Sequence, residues 1–133
     1  MDIVFLDASV LFSAAYRPKA KVLKLWRLPE VARLISSPYA AAEAARNLSE
    51  QEQRYRLDEL LQSVELVIDT THQARLPQGI ELPQKDVPIL QAAISAHASH
   101  LLTSDLKHFG HYFWQIIEGV LILPPAVYLK DKE

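Results

Sequence analysis

The sequence predicts an α/β protein built on a mainly parallel sheet. Three observations carry that prediction. Short apolar runs recur at residues 3–6, 31–35, 65–69, 100–103 and 119–123. Stretches with helical spacing separate the first four of them. Two of the runs end on a carboxylate that opens the next segment, at Leu6-Asp7 and at Thr103-Ser104-Asp105. Strands that alternate with helices imply parallel pairing through right-handed crossovers, and the clefts of such sheets lie at the carboxyl ends of the strands.

Each element has a local reason. Residues 3–6 are a buried strand, and residues 9–15 are small and apolar, which suits a helix packed on the sheet. Arg17-Pro18-Lys19 breaks that helix. Residues 20–28 place Val22, Leu25 and Trp26 at helical spacing opposite Lys21, Lys24 and Arg27, and Pro29 ends the segment. After the strand at 31–35, Ser37 before Pro38 is a helix start: a serine cap with proline at the first helical position. Alanine-rich residues 39–49 have high helix propensity. A third helix is expected over 52–63, with Tyr55, Leu57, Leu60, Leu61 and Val64 as its apolar face.

Residues 65–69 form a third strand. Residues 70–85, interrupted by Pro77, Gly79 and Pro83, are expected to make a short helix or turn and then loop. Asp86-Val87-Pro88 starts a helix to about residue 99, with Ile89, Leu90, Ala93 and Ile94 turned inward. A short strand at 100–103 leads to about one helical turn at 106–109, broken by Gly110. The strand at 119–123 is the last one before Pro124-Pro125.

Length and composition set the bounds. A chain of 133 residues is expected to be one domain, 1–133, large enough to bury a core without staples. Half of the residues are hydrophobic and 23% are charged, which fits a folded globular chain. There is no cysteine, hence no disulfide, no thiolate metal site and no thiol nucleophile. No run approaches the ~20 apolar residues of a membrane span. Asp2 interrupts any leader-like apolar start, so the cytoplasm is the expected compartment. A net charge of −2 does not describe a bulk nucleic-acid binder, although acid in a cleft and base on its rim would average to the same value.

The carboxylates carry the chemistry. Asp7 and Asp105 follow apolar strands, Asp86 opens a helix, and Glu43 lies one turn inside another. In a parallel sheet those positions meet at one edge. Four acids around one point repel one another unless divalent cations neutralise them, and oxygen ligands suit Mg²⁺ or Mn²⁺. The matching chemistry is in-line attack of an activated water on a phosphodiester.

Four segments resemble the acidic motifs of the PIN-domain ribonucleases, in particular the VapC-like toxins of type II toxin–antitoxin systems. They are Phe5-Leu6-Asp7-Ala8-Ser9-Val10-Leu11, Ser37-Pro38-Tyr39 with Glu43-Ala44-Ala45-Arg46-Asn47-Leu48, Asp86-Val87-Pro88-Ile89-Leu90-Gln91-Ala92-Ala93, and Leu101-Leu102-Thr103-Ser104-Asp105-Leu106-Lys107-His108-Phe109. No one of them is specific; four in order, on the matching element types, are. The resemblance implies a PIN-like three-layer α/β/α sandwich with a central, mainly parallel sheet of about five strands. It implies Mg²⁺- or Mn²⁺-dependent endoribonuclease activity, with Asp7, Glu43, Asp86 and Asp105 as catalytic metal ligands and Ser9 and Thr103 in support. It further implies a homodimer and a cognate antitoxin as partner. Two departures stand out. Residues 70–84 are short and proline-interrupted where many relatives carry a clearer helix. After Asp105 some relatives carry a further acid, where this chain has Lys107 and His108, which implies a second metal position that is weak or filled only with substrate.

Each residue also has a plainer reading. Asp7, Asp86 and Asp105 can cap the helices they precede, and Arg46 or Asn47 can satisfy Glu43 one turn on. Ser9 and Thr103 are ordinary turn groups. His97, His100, His108 and His111 invite a zinc reading, which lacks cysteine or an H-E-x-x-H pattern to support it. Trp26, Phe113 and Trp114 suit a core or dimer surface better than base stacking. Lys19, Lys21, Lys24 and Arg27 read as a solvated helix face or as a phosphate-holding stripe, while Arg46 and Lys107 lie nearer the acids as substrate contacts. The alternatives in function are a catalytically inactive PIN domain that binds RNA or protein, and a phosphoacceptor domain using Asp69. The second of these wants adjacent acids after the first strand, as a haloacid-dehalogenase-type phosphatase wants one at Ser9, and this chain has Asp7-Ala8-Ser9.

Overall fold

The computed structural model describes residues 1–68 and 75–132. Asp69, the phosphoacceptor candidate, lies outside the described residues, as do the first residues of the segment expected to turn after the third strand.

Five parallel strands stand where the apolar runs predict them. They are β1 (Asp2–Leu6), β2 (Ala32–Ser36), β3 (Glu65–Leu66), β4 (His100–Leu102) and, last in the chain, β6 (Val120–Leu123). A sixth, β5 (Ile116–Ile117), joins antiparallel to β6, and the sheet order is β3-β2-β1-β4-β6-β5. The chain therefore runs outward from β1 through β2 and β3, then returns to the other side of β1 to lay down β4. The switch point falls between β1 and β4, where a sheet of this kind opens its crevice. Leu6 pairs with Leu102 in the parallel register, so Asp7 and Thr103 emerge side by side at that crevice.

The helices follow the cap signals. α1 (Ala8–Tyr16) starts on Asp7, whose side chain accepts from the Ala8 N–H. α2 (Pro38–Asn47) starts on Ser37, whose hydroxyl accepts from the Ala40 N–H. α3 (Gln51–Leu61) begins with a capping box between Glu50 and Gln53. α4 (Val87–Ser95) follows Asp86, and α5 (Leu106–Phe109) is one turn capped by Asp105. The core lies between these helices and the sheet, with Val4, Phe5, Leu6, Leu11, Ile35, Leu90, Leu101, Phe109 and Ile122 buried.

Several expectations need correction. Residues 21–27 wind as a 3-10 helix, not an α-helix. Of that segment only Leu25 is buried, Ala20 provides no side-chain cap, and prolines close on both sides. Tyr55 is 67% exposed and does not belong to the apolar face of α3, which Leu57 anchors. Gly110 does not end the helical path; it holds helical dihedrals and starts a 3-10 turn to Tyr112. The break comes at Phe113, with ψ of 135°, and Trp114 follows with φ of 73°.

Two elements escape the sequence reading. β5 and β6 are joined at Glu118-Gly119, with φ of 49° and 84°, a two-residue turn with both residues left-handed. α6 (Pro125–Asp131) begins at the proline pair that follows the last predicted strand, because proline at the first helical position costs no hydrogen bond. α6 is tied to the first strand: the Tyr128 hydroxyl donates to Asp2 Oδ2 at 2.7 Å, and Lys132 Nζ lies 3.2 Å from the same oxygen.

Against the rise that burial alone would give, the hydrogen bonds from Tyr128 and Lys132 hold the Asp2 carboxyl below its ordinary value. This contribution is present above the unfolded carboxylate pKa and is lost as pH falls through the folded one. Tyr128→Phe keeps the ring and removes the bond. It is expected to cost about 1–2 kcal/mol in denaturant unfolding at neutral pH, with a smaller cost below about pH 4.

Candidate metal centre

Asp7 sits at the carboxyl end of β1 and is 5% exposed. All of its partners come from the two strand ends that meet there. Ala8 N–H donates to Oδ1 at 2.7 Å, while the Ser9 and Thr103 hydroxyls donate to Oδ2 at 2.8 and 2.7 Å. The hydroxyls are aimed in turn: Ser104 N–H donates to Ser9 Oγ and Asp105 N–H to Thr103 Oγ1, at 3.0 and 3.1 Å. Burial pushes the Asp7 carboxyl above the ordinary carboxylate range; hydrogen bonds from Thr103, Ser9 and Ala8 oppose that, and the nearby Asp105 adds to it.

Asp86 occupies the cap position of α4 without capping it. Its backbone carbonyl accepts from Ile89 and Leu90, and its side chain makes no cap hydrogen bond. The residue is 4% exposed, and its Oδ2 is buried with no hydrogen-bond partner. That oxygen lies 2.9 Å from His108 Nδ1. The ring nitrogen carries at most one hydrogen, and the contact aligned to receive it is Asp105 Oδ2 at 2.7 Å. Burial again raises the Asp86 carboxyl, with His108 and Lys85 opposing and Asp7 and Asp105 adding to the rise. The loop before Asp86 is fixed by the Tyr39 hydroxyl, which donates to the Lys85 carbonyl at 2.6 Å.

Asp105 both caps and faces the cleft: its Oδ1 accepts from the His108 N–H at 3.0 Å. Glu43, half-buried one turn and a half into α2, lines the same cleft of about 500 Å³ with Asp7, Asp86 and Asp105. Asn47 does not satisfy its carboxylate, because the Asn47 amide donates to the Glu43 backbone carbonyl. The four acids predicted from the sequence therefore surround one space.

Arg46 and Lys107 are exposed and do not line it; the cation on its wall is Lys85, beside Asn47 and Phe12. A larger cleft next to it, about 750 Å³, shares Phe12 and carries Arg17, Lys19 and Lys21 but no acid. Among the described residues, His97, His100 and His111 join no group of converging ligand atoms. The one group that does converge is Asp86, Asp105 and His108, with ligand atoms within 4.8 Å of one another. Sequence reading placed His108 outside the acid site. Its position three residues after Asp105, on one helical turn, was the signal available.

The donor set fits a divalent cation. Asp7 and Asp86 have their charged forms disfavoured by burial and by neighbouring carboxylates, one buried oxygen has no hydrogen-bond partner, and among the described residues Lys85 is the one lysine or arginine on the wall. An open, mainly parallel sheet with such a crevice at its switch point is the PIN-like arrangement that the four motifs imply.

Solved structures share that fold. One is the 2.2 Å resolution structure of VapBC-1 from nontypeable Haemophilus influenzae, with a TM-score of 0.59 at 18% identity, covering 93% of this chain and 98% of that one. Another is the crystal structure of VapBC2 from Rickettsia felis bound to a DNA fragment from their promoter, with a TM-score of 0.63 at 17% identity, covering 92% and 98%. At these identities the likeness is one of fold. No protein-family model matches the chain, and no curated protein matches it. No helix among the described residues is long and apolar enough to cross a membrane.

Proposed function

We propose that this chain is a Mg²⁺- or Mn²⁺-dependent endoribonuclease of the VapC type, the toxin of a toxin–antitoxin pair. The observation that carries the reading is the buried, unsatisfied Asp86 Oδ2 within a ring of carboxylates from four separate elements. A divalent cation, when bound, supplies Lewis-acid activation of water and of the scissile phosphate.

The chain's own residues do the rest. Asp7, Glu43, Asp86 and Asp105 hold the cation. Ser9 and Thr103 fix the position of Asp7 and favour its ionised form against burial, since each donates to the same oxygen. Lys85, at the cleft wall, attracts the RNA backbone, and Arg46 and Lys107 extend that attraction beyond the cleft. The likeness to VapBC structures supports a cognate antitoxin protein as partner; the reading further takes residues 1–133 as one domain that forms a homodimer in the cytoplasm.

The test is RNA cleavage by the purified chain in Mg²⁺, in Mn²⁺ and in chelator, beside Asp7→Asn and Asp105→Asn. Cleavage is expected only for the parent with metal. If both variants cut as fast as the parent, the reading fails. RNA binding without cleavage in either metal would replace it with the inactive, RNA-binding PIN domain.

A further inference from the structure

The group that the acid count leaves out is the imidazole of His108. We propose that His108 Nδ1 is a direct ligand of the bound cation, beside Asp86 and Asp105, so that the centre is a mixed oxygen–nitrogen site that selects Mn²⁺ over Mg²⁺. The inference rests on the cation reading above and goes beyond it in ligand and in metal.

Three features carry it. Nδ1 lies 2.7 Å from Asp105 Oδ2 and 2.9 Å from Asp86 Oδ2. Neighbouring ligands of an octahedral ion with bonds of about 2.1 Å are about 3 Å apart, so both nitrogen–oxygen edges already have that spacing, and the ligand atoms of the three residues all lie within 4.8 Å of one another. One hydrogen on Nδ1 satisfies one of two carboxylates, and Asp86 Oδ2 is the one left over, buried and without a partner. A histidine that only balances charge brings the same single Nδ1 hydrogen to two oxygens; a shared ion satisfies all three atoms at once. Finally, the turn that carries the ring is fixed, because the His108 backbone N–H donates to Asp105 Oδ1, and the side chain is half-buried on the single turn of α5. In the Nε2–H tautomer the same Nδ1 presents a lone pair to the ion.

The chemistry of the donors gives the selectivity. Mg²⁺ takes oxygen ligands and keeps its water, whereas imidazole binds the transition divalent ions more willingly. The centre therefore favours Mn²⁺ by more than an all-oxygen site would.

Pulsed electron paramagnetic resonance of Mn²⁺ bound to the full, untagged chain tests this directly. Imidazole ¹⁴N modulation is expected in the parent and in His111→Asn, and is expected to vanish in His108→Asp and His108→Asn. Competition of Mg²⁺ against Mn²⁺ should show the preference for Mn²⁺ falling about tenfold or more in His108→Asp, which restores an all-oxygen set. Mn²⁺ that binds, is lost in Asp105→Asn and yet carries no ¹⁴N modulation overturns the histidine ligand and leaves the cation site standing. Absence of bound Mn²⁺ at millimolar concentration removes the site itself. The parent spectrum decides the ligand even if a His108 variant fails to fold.

Discussion

Asp7→Asn should lower metal-dependent RNA cleavage by about 10²- to 10³-fold, the loss typical when one preorganised charged group is taken from a reacting centre. That is about 3–4 kcal/mol of transition-state stabilisation. The loss should appear in kcat at saturating metal rather than in KM for RNA, because Asp7 lies at the floor of the cleft, and Lys85 at its wall remains to meet the backbone. Asn preserves the shape and its one acceptor oxygen can still meet the Ser9 and Thr103 hydroxyls, with the amide nitrogen then turned toward the Ala8 N–H, so the charge and that one cap hydrogen bond are removed together. A variant whose kcat is intact and whose KM is raised would mean that Asp7 serves only to build the cleft.

The same substitution should stabilise the metal-free protein. Unfolded, the Asp7 carboxyl titrates near 3.8; folded, burial holds it higher. As pH rises, the unfolded chain gives up its proton first, so folding stability falls from about pH 4 through the folded pKa and stays lost at neutral pH. Asp86, raised in the same direction by burial, adds to the loss. Asn bears no charge and escapes it. In chelator at pH 7, Asp7→Asn is expected to melt about 2–5 °C above the parent, with the gap closing toward pH 4. Saturating Mn²⁺ should reverse the order, because an ion that binds only the folded parent stabilises it by about 2.7 kcal/mol at a hundredfold excess over Kd. An Asn variant that melts below the parent in chelator at pH 7 would show that the buried charge costs less than the Ala8 hydrogen bond that Asn gives up.

The sheet and its crevice were legible because each strand is a short apolar run bounded by a turn signal, and because parallel pairing forces strand ends to one edge. Asp7 and Asp105 were visible for that reason, and Asp86 and Glu43 through the motif order. The missing pieces share a cause: their signals depend on context. Glu118-Gly119 is a hairpin turn only because Ile117 and Val120 pair across it. Pro125 signals a helix start only once a helix is known to follow it. Residues 21–27 have apolar spacing that both α- and 3-10 winding satisfy, and the short span between Pro18 and Pro29 decides. Within the site, a count of carboxylates overlooked His108, whose ring enters the acid cluster only because the turn at Leu106–Phe109 folds it back on Asp105. Lys85 was passed over for Arg46 and Lys107, which are close in sequence to the acids but lie off the cleft wall.

The central claim is that carboxylates from four elements, together with His108, gather a divalent ion at the switch point between β1 and β4. Anomalous diffraction from crystals of the chain grown with Mn²⁺ tests it most directly. A manganese peak bounded by Asp7, Asp86, Asp105 and His108, with Glu43 facing it directly or through water, is the expected result. A peak elsewhere on the molecule, with that cleft holding water alone, would contradict it.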